Sequence, residues 1–335
     1  MRAIVVEKPG QVELREVPDP SPDRGQVLVR VSCCGICGTD LHIVAGEFPP
    51  TPYPIIPGHE FAGEIIAFGP GARETPGAVE LDEGSLVAVD PSLFCGICQP
   101  CRAGHGNLCQ NWGAIGDTID GAFAEFVAVP VTSLYGLPEG FDGQRGAMVE
   151  PLSCAIHGLK RLGPVLGERA VLFGAGTMGL LLLQLMVRAG SSEVTVVDRA
   201  VERLEVARRL GASSTASDAS ALNGARYEVA VDATGAPGAV QAALGLLDRG
   251  GRLLVFGVAP AEALVSVSPF RIYNDELTIV GSMAVLHSFS QAVDLLARGA
   301  VDVRPMLAEP MPLEQFEAAL EGVRSGRGVK THVRP

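Results

Sequence analysis

The chain has 335 residues, 47% of them hydrophobic, which is enough for two domains with separate cores. Its 38 acidic and 26 basic side chains give a formal net charge of -12, which repels nucleic acid and anionic membranes. Residues 1–7 lack the long apolar run of a signal peptide, and no apolar stretch is long enough to span a bilayer. We therefore expect a cytoplasmic protein without nucleic-acid or membrane partners.

Short strand-like runs separated by glycine and proline dominate the first part of the chain. The clearest alternation lies at residues 26–31, and further runs occur at 63–68, 85–90 and 122–129. Because little helical periodicity separates them, these runs predict a compact β-rich domain over residues 1–148.

A potential metal-binding segment lies among these strands. Cys37, His59 and Glu60 offer a thiolate, an imidazole and a carboxylate, which suit a catalytic Zn²⁺ with one position left for water or substrate. Thr39 and His42 follow the cysteine closely, and they could carry a proton away from a group bound to the metal. These five residues form the first part of the predicted catalytic set.

Four further cysteines occur close together. Cys95, Cys98, Cys101 and Cys109 have the spacing of a closed, tetrahedral structural zinc site. Two disulfides, or chance clustering, are the alternatives, and a reducing compartment disfavours disulfides. We predict a second zinc ion at these four thiolates.

From about residue 165 strands and helices alternate, which predicts a doubly wound parallel sheet. A strand at 170–173 precedes a glycine turn, and a helix at 180–189 follows it. The next strand, 193–198, ends in the acidic residue Asp198. The distance from Gly179 to this acid is close to the ~20 residues of a dinucleotide fingerprint. The turn consists of Gly174, Ala175, Gly176, Thr177, Met178 and Gly179.

The three glycines of this turn have separate predicted roles. Gly174 permits the tight turn, Gly176 lets a pyrophosphate approach the backbone, and Gly179 allows close packing of the following helix. A glycine turn used only for packing is the alternative.

The acid at the end of the second strand, Asp198, predicts the choice of cofactor. It would accept hydrogen bonds from the adenosine ribose hydroxyls and repel a 2′-phosphate, so NAD is favoured over NADP. Arg199 and Arg203 could pair with a phosphate, but beside this acid we expect them to flank the adenine or to be solvated. An N-cap role for Asp198 is the alternative.

The alternation continues to about residue 281. The expected elements are helices at 199–210 and 238–247 and strands at 227–232, 252–258 and 277–281. Residues at the strand ends are expected to line the nicotinamide side of the cofactor: Thr234, Gly235, Gly257 and Val258.

Two amphipathic helices, at about 289–298 and 313–325, close the chain. They lie beyond the last strand of the sheet. We therefore expect residues 285–335 to return to the first domain, which leaves residues 149–284 as the nucleotide-binding domain.

Together these motifs resemble the zinc-dependent medium-chain dehydrogenase/reductase (alcohol dehydrogenase) family, most closely its sorbitol, polyol and threonine dehydrogenase branch. The resemblance covers nearly the whole chain. It implies an α/β protein with a GroES-like β-rich catalytic domain, a Rossmann domain with a doubly wound parallel sheet, and an active site in the cleft separating them. It also implies a homo-oligomer, either a dimer or a tetramer.

The resemblance adds one site residue, Glu150, which opens the run Glu150-Pro151-Leu152. It matches the acid that lies near the catalytic zinc in this family and binds the metal directly or through water. Classical alcohol dehydrogenases have a cysteine in that role, so the acid indicates the polyol side of the family. A surface carboxylate at a domain boundary is the alternative.

The sequence thus predicts an NAD-dependent zinc enzyme that converts a secondary alcohol or polyol reversibly to a ketone. Thr39 would pass the alcohol proton through the cofactor ribose to His42. The segment after Gly281 shows no recognisable polyol signature, so no particular substrate is predicted.

Two other functions are weighed. One is a zinc-independent NADPH quinone or enone reductase, which would lack the metal ligands. The other is a non-catalytic NAD-binding protein, which would need no proton relay. The remaining cysteines and histidines are interpreted as packing residues: Cys33, Cys34, Cys154, His157, His287 and His332.

Overall fold

The computed structural model describes residues 1–48, 50–75, 81–222 and 224–335. Internal contacts divide the chain into two units. Unit 1 comprises Met1–Ser153 and Val285–Pro335, and unit 2 comprises Cys154–Ala284. Residues 149–153, expected in the nucleotide-binding domain, thus lie in unit 1. None of the described helices combines the length and the apolar character that a bilayer crossing needs.

The strands are, in chain order, β1 (Arg2–Lys8), β2 (Gln11–Glu16), β3 (Gln26–Ile36), β4 (Glu60–Phe68), β5 (Leu86–Val89), β6 (Ser92–Leu93), β7 (Gly113–Ala114), β8 (Phe126–Pro130), β9 (Leu134–Gly136), β10 (Arg169–Phe173), β11 (Glu193–Val197), β12 (Ser214–Ala216), β13 (Tyr227–Asp232), β14 (Leu247–Val255), β15 (Thr278–Gly281), β16 (Met311–Pro312) and β17 (Thr331–Arg334).

The α-helices are, in chain order, α1 (Gly38–Ala45), α2 (Gln99–Arg102), α3 (Gly143–Ala147), α4 (Val149–Leu162), α5 (Thr177–Arg188), α6 (Val201–Arg209), α7 (Pro237–Leu246), α8 (Pro269–Asp275), α9 (Phe289–Ala297) and α10 (Phe316–Arg324).

The main sheet of unit 1 has the order β16-β17-β3-β4-β5-β9, and β8 pairs with β3 beside this path. The long strand β3 alternates as its sequence predicts, since Val27, Val29 and Val31 are buried whereas Arg30 is exposed. The C-terminal strand β17 pairs antiparallel with the end of β3. The last residues of the chain therefore lie beside the segment that leads to Cys37.

Register in this sheet determines which residues become neighbours. Gly35 of β3 pairs with Glu60 of β4 on one side and with His332 of β17 on the other. A Cβ at Gly35 would overlap the Glu60 carboxylate, so only glycine fits here. The sheet thus gathers residues from three distant parts of the sequence.

Unit 2 contains a six-stranded sheet in the order β12-β11-β10-β13-β14-β15, with every pairing parallel. The chain moves outward from β10 in one direction to β11 and β12, and in the other direction to β13, β14 and β15. The strand order reverses between β10 and β13, which is where such sheets bind their ligands. The predicted doubly wound parallel sheet is confirmed.

Several element boundaries differ from the predicted ones. The helix expected at 180–189 begins at Thr177, because Gly176 already has the extended conformation of an N-cap. The strand expected at 252–258 begins at Leu247, which pairs with Tyr227 before a register shift. The pair Gly250-Gly251 therefore lies within a bulged strand rather than before it.

Two further segments of unit 1 differ from expectation. The strand predicted at 122–129 is confined to Phe126–Pro130. The helix predicted at 313–325 starts as a 3₁₀ turn over Leu313–Gln315 and becomes α-helical at Phe316. The ring of Phe316 packs edge-on against Phe123 in the core, with ring centroids 4.8 Å apart.

Candidate functional site

The predicted metal ligand Cys37 caps the N-terminus of α1. Its Sγ accepts the Thr39 N–H at 3.3 Å, and the Asp40 carboxylate accepts the Cys37 N–H at 2.9 Å, which together form a capping box. The Gly-x-Cys-Gly-Thr-Asp pattern therefore has a local reason, because it starts a helix at the thiolate. The His59 Nε2 lies 3.3 Å from the same sulfur.

The two acidic candidates lie around the same histidine. Ligand atoms of His59, Glu60 and Glu150 all lie within 4.8 Å of one another, and so do those of Cys37, Asp40 and His59. His59 is common to both groups. His59 thus links the predicted ligand Cys37 to the predicted ligands Glu60 and Glu150, and the structure adds Asp40, an aspartate that the sequence did not suggest.

A buried lysine, which sequence reasoning missed, binds one of these acids. Lys330 Nζ forms an ion pair with the Glu60 carboxylate and donates to the Ile36 carbonyl at 3.0 Å. Burial opposes the charge of Lys330, but the nearby Glu60, Cys37 and Asp40 together outweigh this effect and raise the pKa of the lysine. Glu60 thus has a cationic partner at the same place where it could meet a metal.

Protonation of the ligand atoms is perturbed by their burial and by each other. Burial raises the pKa of Cys37, with the nearby His59 opposing. Burial alone would lower the pKa of His59, but Asp117 and Cys37 raise it well above its usual range. A metal competes with protons for these same lone pairs, so binding would release protons.

The two residues of the predicted proton relay lie on α1, three positions apart and therefore on one face. Thr39 is half-buried in the first turn. His42 lies in the last turn, its side chain is 40% exposed, and its Nδ1 lies 2.8 Å from a carboxylate oxygen of Glu47. The helix therefore extends from the metal ligands towards solvent.

The four clustered cysteines converge as predicted. Their sulfur atoms lie within 4.8 Å of one another, and none forms a disulfide. Backbone N–H groups of Ile97 and Cys98 lower the pKa of Cys95 to about 6, whereas burial raises that of Cys101 to about 12. Four cysteine sulfurs this close together form a donor set suited to a closed tetrahedral zinc site.

The glycine turn of unit 2 has the geometry of a dinucleotide site. Gly174 has φ +101°, which favours glycine, and a Cβ at Gly179 would overlap the Gly174 carbonyl. A Cβ at Gly176 would meet only Arg203, at 3.9 Å, so the backbone there is open to a ligand. Thr177 and Met178 begin α5, whose N-terminal dipole favours a phosphate.

Asp198 lies directly after β11 and supports this turn. Its carboxylate oxygens accept the N–H groups of Ala175 at 2.7 Å and Ala200 at 2.8 Å. Each carboxylate oxygen has further acceptor capacity for a ribose hydroxyl. Arg203 is half-buried near the turn, whereas Arg199 is exposed.

The residues expected near the nicotinamide lie together. A Cβ at Gly257 would overlap the backbone N–H of Gly235, which makes the loops after β13 and β14 close neighbours. Val258 is 80% exposed at the same edge. The fully buried Asp232, which sequence reasoning missed, accepts the Thr234 N–H and hydroxyl at 3.0 and 2.6 Å.

Asp117 is another residue that sequence reasoning missed, and its Oδ1 lies 3.1 Å from His59 Nδ1. The sequence contains weak signals for such residues. Asp232 lies two residues before Thr234 and Gly235 at a strand end, and Lys330 directly precedes the last strand of the chain. Nothing near Asp117 in the sequence indicates its partner.

Comparison with known proteins identifies the family of this chain. Residues 23–139 match the alcohol dehydrogenase GroES-like domain, and residues 177–298 match the zinc-binding dehydrogenase family. D-arabinitol dehydrogenase 1 of Uromyces fabae is 33% identical, and the match covers 100% of this chain and 97% of the relative.

Solved structures match over the same extent. A zinc-binding dehydrogenase structure from Sinorhizobium meliloti 1021, bound to NADP, is 34% identical with a TM-score of 0.92. It covers 100% of this chain and 99% of its own. An alcohol dehydrogenase of Escherichia coli CFT073 in complex with NADH is 29% identical with a TM-score of 0.91, with the same coverage.

The fold and the two sites define a zinc-binding oxidoreductase that uses NAD or NADP. The chain belongs to the zinc-dependent medium-chain dehydrogenase/reductase family. The predicted family, the GroES-like and Rossmann fold class, and the alcohol or polyol dehydrogenase function are therefore confirmed.

Proposed function

We propose that this protein oxidises a secondary hydroxyl of a polyol or simple alcohol to a ketone, reversibly and with NAD as hydride acceptor. In this proposal residues 1–148 and 285–335 form the catalytic domain, and residues 149–284 bind the cofactor. Glu150 belongs functionally to the catalytic domain, since its carboxylate lies with His59 and Glu60.

One observation carries the proposal: His59 belongs to two buried groups of potential ligands. Its Nε2 approaches the Cys37 thiol at 3.3 Å, and the carboxylates of Glu60 and Glu150 lie within 4.8 Å of it. A thiolate, an imidazole and carboxylates are a donor set suited to zinc. Lys330 pairs with Glu60, and a metal would give the remaining groups, His59, Glu150 and the partly buried Cys37, a shared cation as well.

Zn²⁺ bound by Cys37, His59, Glu60 or Glu150 would stabilise negative charge developing on the substrate oxygen, and NAD would accept the hydride. In this proposal Thr39, in the first turn of α1, would hold the proton of the substrate hydroxyl. His42, at the exposed end of the same helix, would pass a proton to solvent. Its neighbour Glu47 orients the imidazole ring.

Lys330 has a role in this proposal that the sequence did not suggest. By pairing with Glu60, it offers that carboxylate an alternative to the metal. Glu150 lies outside this ion pair and can serve as the acidic ligand while Glu60 faces the lysine. The two carboxylates could thus exchange places as substrate enters.

The preference for NAD rests on Asp198. Its carboxylate is fixed by two backbone N–H groups directly beside the glycine turn, where a 2′-phosphate of NADP would be repelled. The relative bound to NADP makes this point worth testing. Replacing Asp198 by Asn removes the charge but keeps an acceptor for the turn, so kcat/KM with NADP should rise relative to NAD. An unchanged ratio would contradict the proposed role.

We also propose a structural zinc at Cys95, Cys98, Cys101 and Cys109, and a homo-oligomeric assembly. Zinc at four thiolates would stabilise a lobe that has few other means of support, because it contains only short helical turns. Sedimentation of the purified protein would distinguish a monomer from a dimer or tetramer.

Activity is tested by following NADH at 340 nm with a panel of secondary alcohols and polyols. Cys37→Ser should abolish turnover and remove one zinc, while NADH binding stays close to normal. The matched control is Cys33→Ser, since Cys33 is also a free thiol close to Cys37 in sequence but belongs to neither ligand group. Near-normal turnover of Cys37→Ser would refute the proposed site, and absence of any substrate in the panel would refute the substrate class.

A further inference from the structure

The ring of His59 has a different partner at each nitrogen. Nε2 faces the Cys37 sulfur at 3.3 Å, and Nδ1 lies 3.1 Å from Asp117 Oδ1. His59 and Asp117 are 7% and 5% exposed, so bulk water does not compete for either side chain. A carboxylate beside Nδ1 keeps the proton on that nitrogen and leaves the Nε2 lone pair for a metal.

A second aspartate near this ring has a different role. Asp40 Oδ2 accepts the Cys37 N–H at 2.9 Å and completes the capping box of α1. Its other oxygen lies 4.0 Å from His59 Nδ1. Asp117 is therefore the carboxylate nearer to the His59 ring, and its position affects the orientation of that ring.

Asp117 lies in a tightly bonded turn. Its N–H and that of Thr118 donate to the Ala114 carbonyl at 3.1 and 2.9 Å, and the Gly116 N–H donates to the Ile119 carbonyl at 2.8 Å. The Thr118 hydroxyl accepts the Ala114 N–H at 2.9 Å. The carboxylate is thus presented by a backbone with little conformational freedom.

This turn packs directly against the residue before the metal ligand. A Cβ at Gly116 or at Gly121 would overlap the carbonyl of Gly58. The backbone that leads to His59 and the backbone that carries Asp117 are therefore in contact without intervening side chains. A shift of one would displace the other.

The same turn is also the exit from the cysteine lobe, which we define as residues 94–112. The lobe is closed at its base by the pairing of β6 with β7, in which Ser92 pairs with Ala114 and Leu93 with Gly113. The Ile115 N–H then donates to the Pro91 carbonyl at 2.9 Å. Only two residues, Ile115 and Gly116, separate the end of β7 from Asp117.

We propose that Asp117 is the positioning residue of His59, and that the cysteine lobe holds Asp117 in place, so that the two metal sites are coupled. The inference rests on the proposed catalytic metal site. Removing a carboxylate that contacts a metal ligand but not the metal itself typically weakens metal affinity by about 10–100-fold. The coupling gives the cysteine lobe an influence on the catalytic centre through a single short turn.

The experiment measures metal affinity directly, without turnover. Protein with Zn²⁺ in the cysteine lobe and Co²⁺ at the Cys37 site is titrated with a chelator, so that the thiolate-to-cobalt absorption reports the Cys37 site alone. Asp117→Ala should weaken that site by about 10–100-fold, and the isosteric Asp117→Asn by less, because the amide keeps a polar oxygen close to Nδ1. The matched control is Asp120→Asn, which removes a charge from the same loop. The Asp120 carboxylate accepts the Ile56 N–H and not a hydrogen of His59, so this variant should titrate like the wild type.

Equal chelator titrations for Asp117→Ala, Asp117→Asn and Asp120→Asn would overturn the assignment. If the alanine variant does not fold, Asp117→Asn decides the matter. A role confined to packing would lower the thermal midpoint of that variant without changing its metal affinity. Loss of the Cys37 absorption in the wild type itself would instead refute the proposed metal site.

The coupling between the sites is tested with Cys98→Ser, in which the cysteine lobe should lose its metal. This variant should also weaken the Cys37 site, and adding Asp117→Ala to it should cause little further loss, since both changes act through one contact. Wild-type affinity at the Cys37 site of Cys98→Ser, or full additivity in the double variant, would overturn the coupling.

Discussion

The buried ion pair of Glu60 and Lys330 leads to the sharpest prediction about stability. The two side chains are 3% and 1% exposed, and the lysine also donates to the Ile36 carbonyl. Lys330→Met keeps the length of the side chain but leaves Glu60 buried without its cation. We expect this change to lower the free energy of unfolding of the metal-free protein.

The magnitude follows from the surroundings of the pair. Removing one partner of a buried pair costs about 3–5 kcal/mol, because the other charge stays buried and uncompensated. Gly35 lies so close to both side chains that no Cβ fits, which leaves little space for a water molecule to replace the lysine. We therefore expect a loss in the upper part of this range.

Urea unfolding followed by circular dichroism, in the presence of a chelator, measures the effect. Lys8→Met is the matched control, since Lys8 is exposed, and it should change stability by no more than about 0.5 kcal/mol. The double variant Glu60→Gln/Lys330→Met should lose less than the sum of the single losses, because no charge is left uncompensated. Equal losses for the two lysine variants, or strict additivity in the cycle, would refute the reasoning.

Three other predictions concern the cofactor turn, a buried histidine and the cysteine lobe. Gly179→Ala should abolish NADH binding in a fluorescence titration, because its Cβ would overlap the Gly174 carbonyl. The control is Gly245→Ala, in an open helical position. This variant should bind NADH normally, and its free energy of unfolding should rise by about 0.5–1 kcal/mol. Burial lowers the pKa of His332 to about 3, so the folded state resists a proton that the unfolded state accepts. Stability is therefore lost as the pH falls from about 6.5 towards 3, by at most about 5 kcal/mol. The variant His332→Leu should therefore unfold at a lower pH than the wild type in an acid titration. An unchanged midpoint of acid unfolding would contradict this. Cys101→Ser should reduce the zinc content from two ions per chain to one, as measured by elemental analysis, and retention of both would contradict the structural site.

Features that depend on neighbouring residues were readable from the sequence. The cysteine lobe and the glycine turn are each formed by fewer than about twenty consecutive residues, so spacing alone indicates their geometry. Gly174 and Gly179 occupy positions that other residues cannot, and this requirement is local. The alternation of strands and helices likewise indicated the parallel sheet, because each hydrophobic pattern reports one element.

Element boundaries were less predictable where a glycine could lie either before an element or within it. The pair Gly250-Gly251 suggested a break before the strand, but pairing of Leu247 with Tyr227 extends β14 across it. Tertiary pairing overrode the local preference of these residues. Similarly, Gly176 marks a helix start that propensity alone placed three residues later.

The amino-acid sequence by itself thus predicted the cysteine lobe and the cofactor turn, because each lies in a short, contiguous pattern. Only the tertiary structure decided that Lys330 pairs with Glu60, 270 positions away, and that Asp117 rather than Asp40 is nearest to His59. The register of β17 on β3 and the packing of the turn around Gly116 against Gly58 create these neighbours. Such contacts depend on how distant strands and turns align, and no local spacing records that alignment.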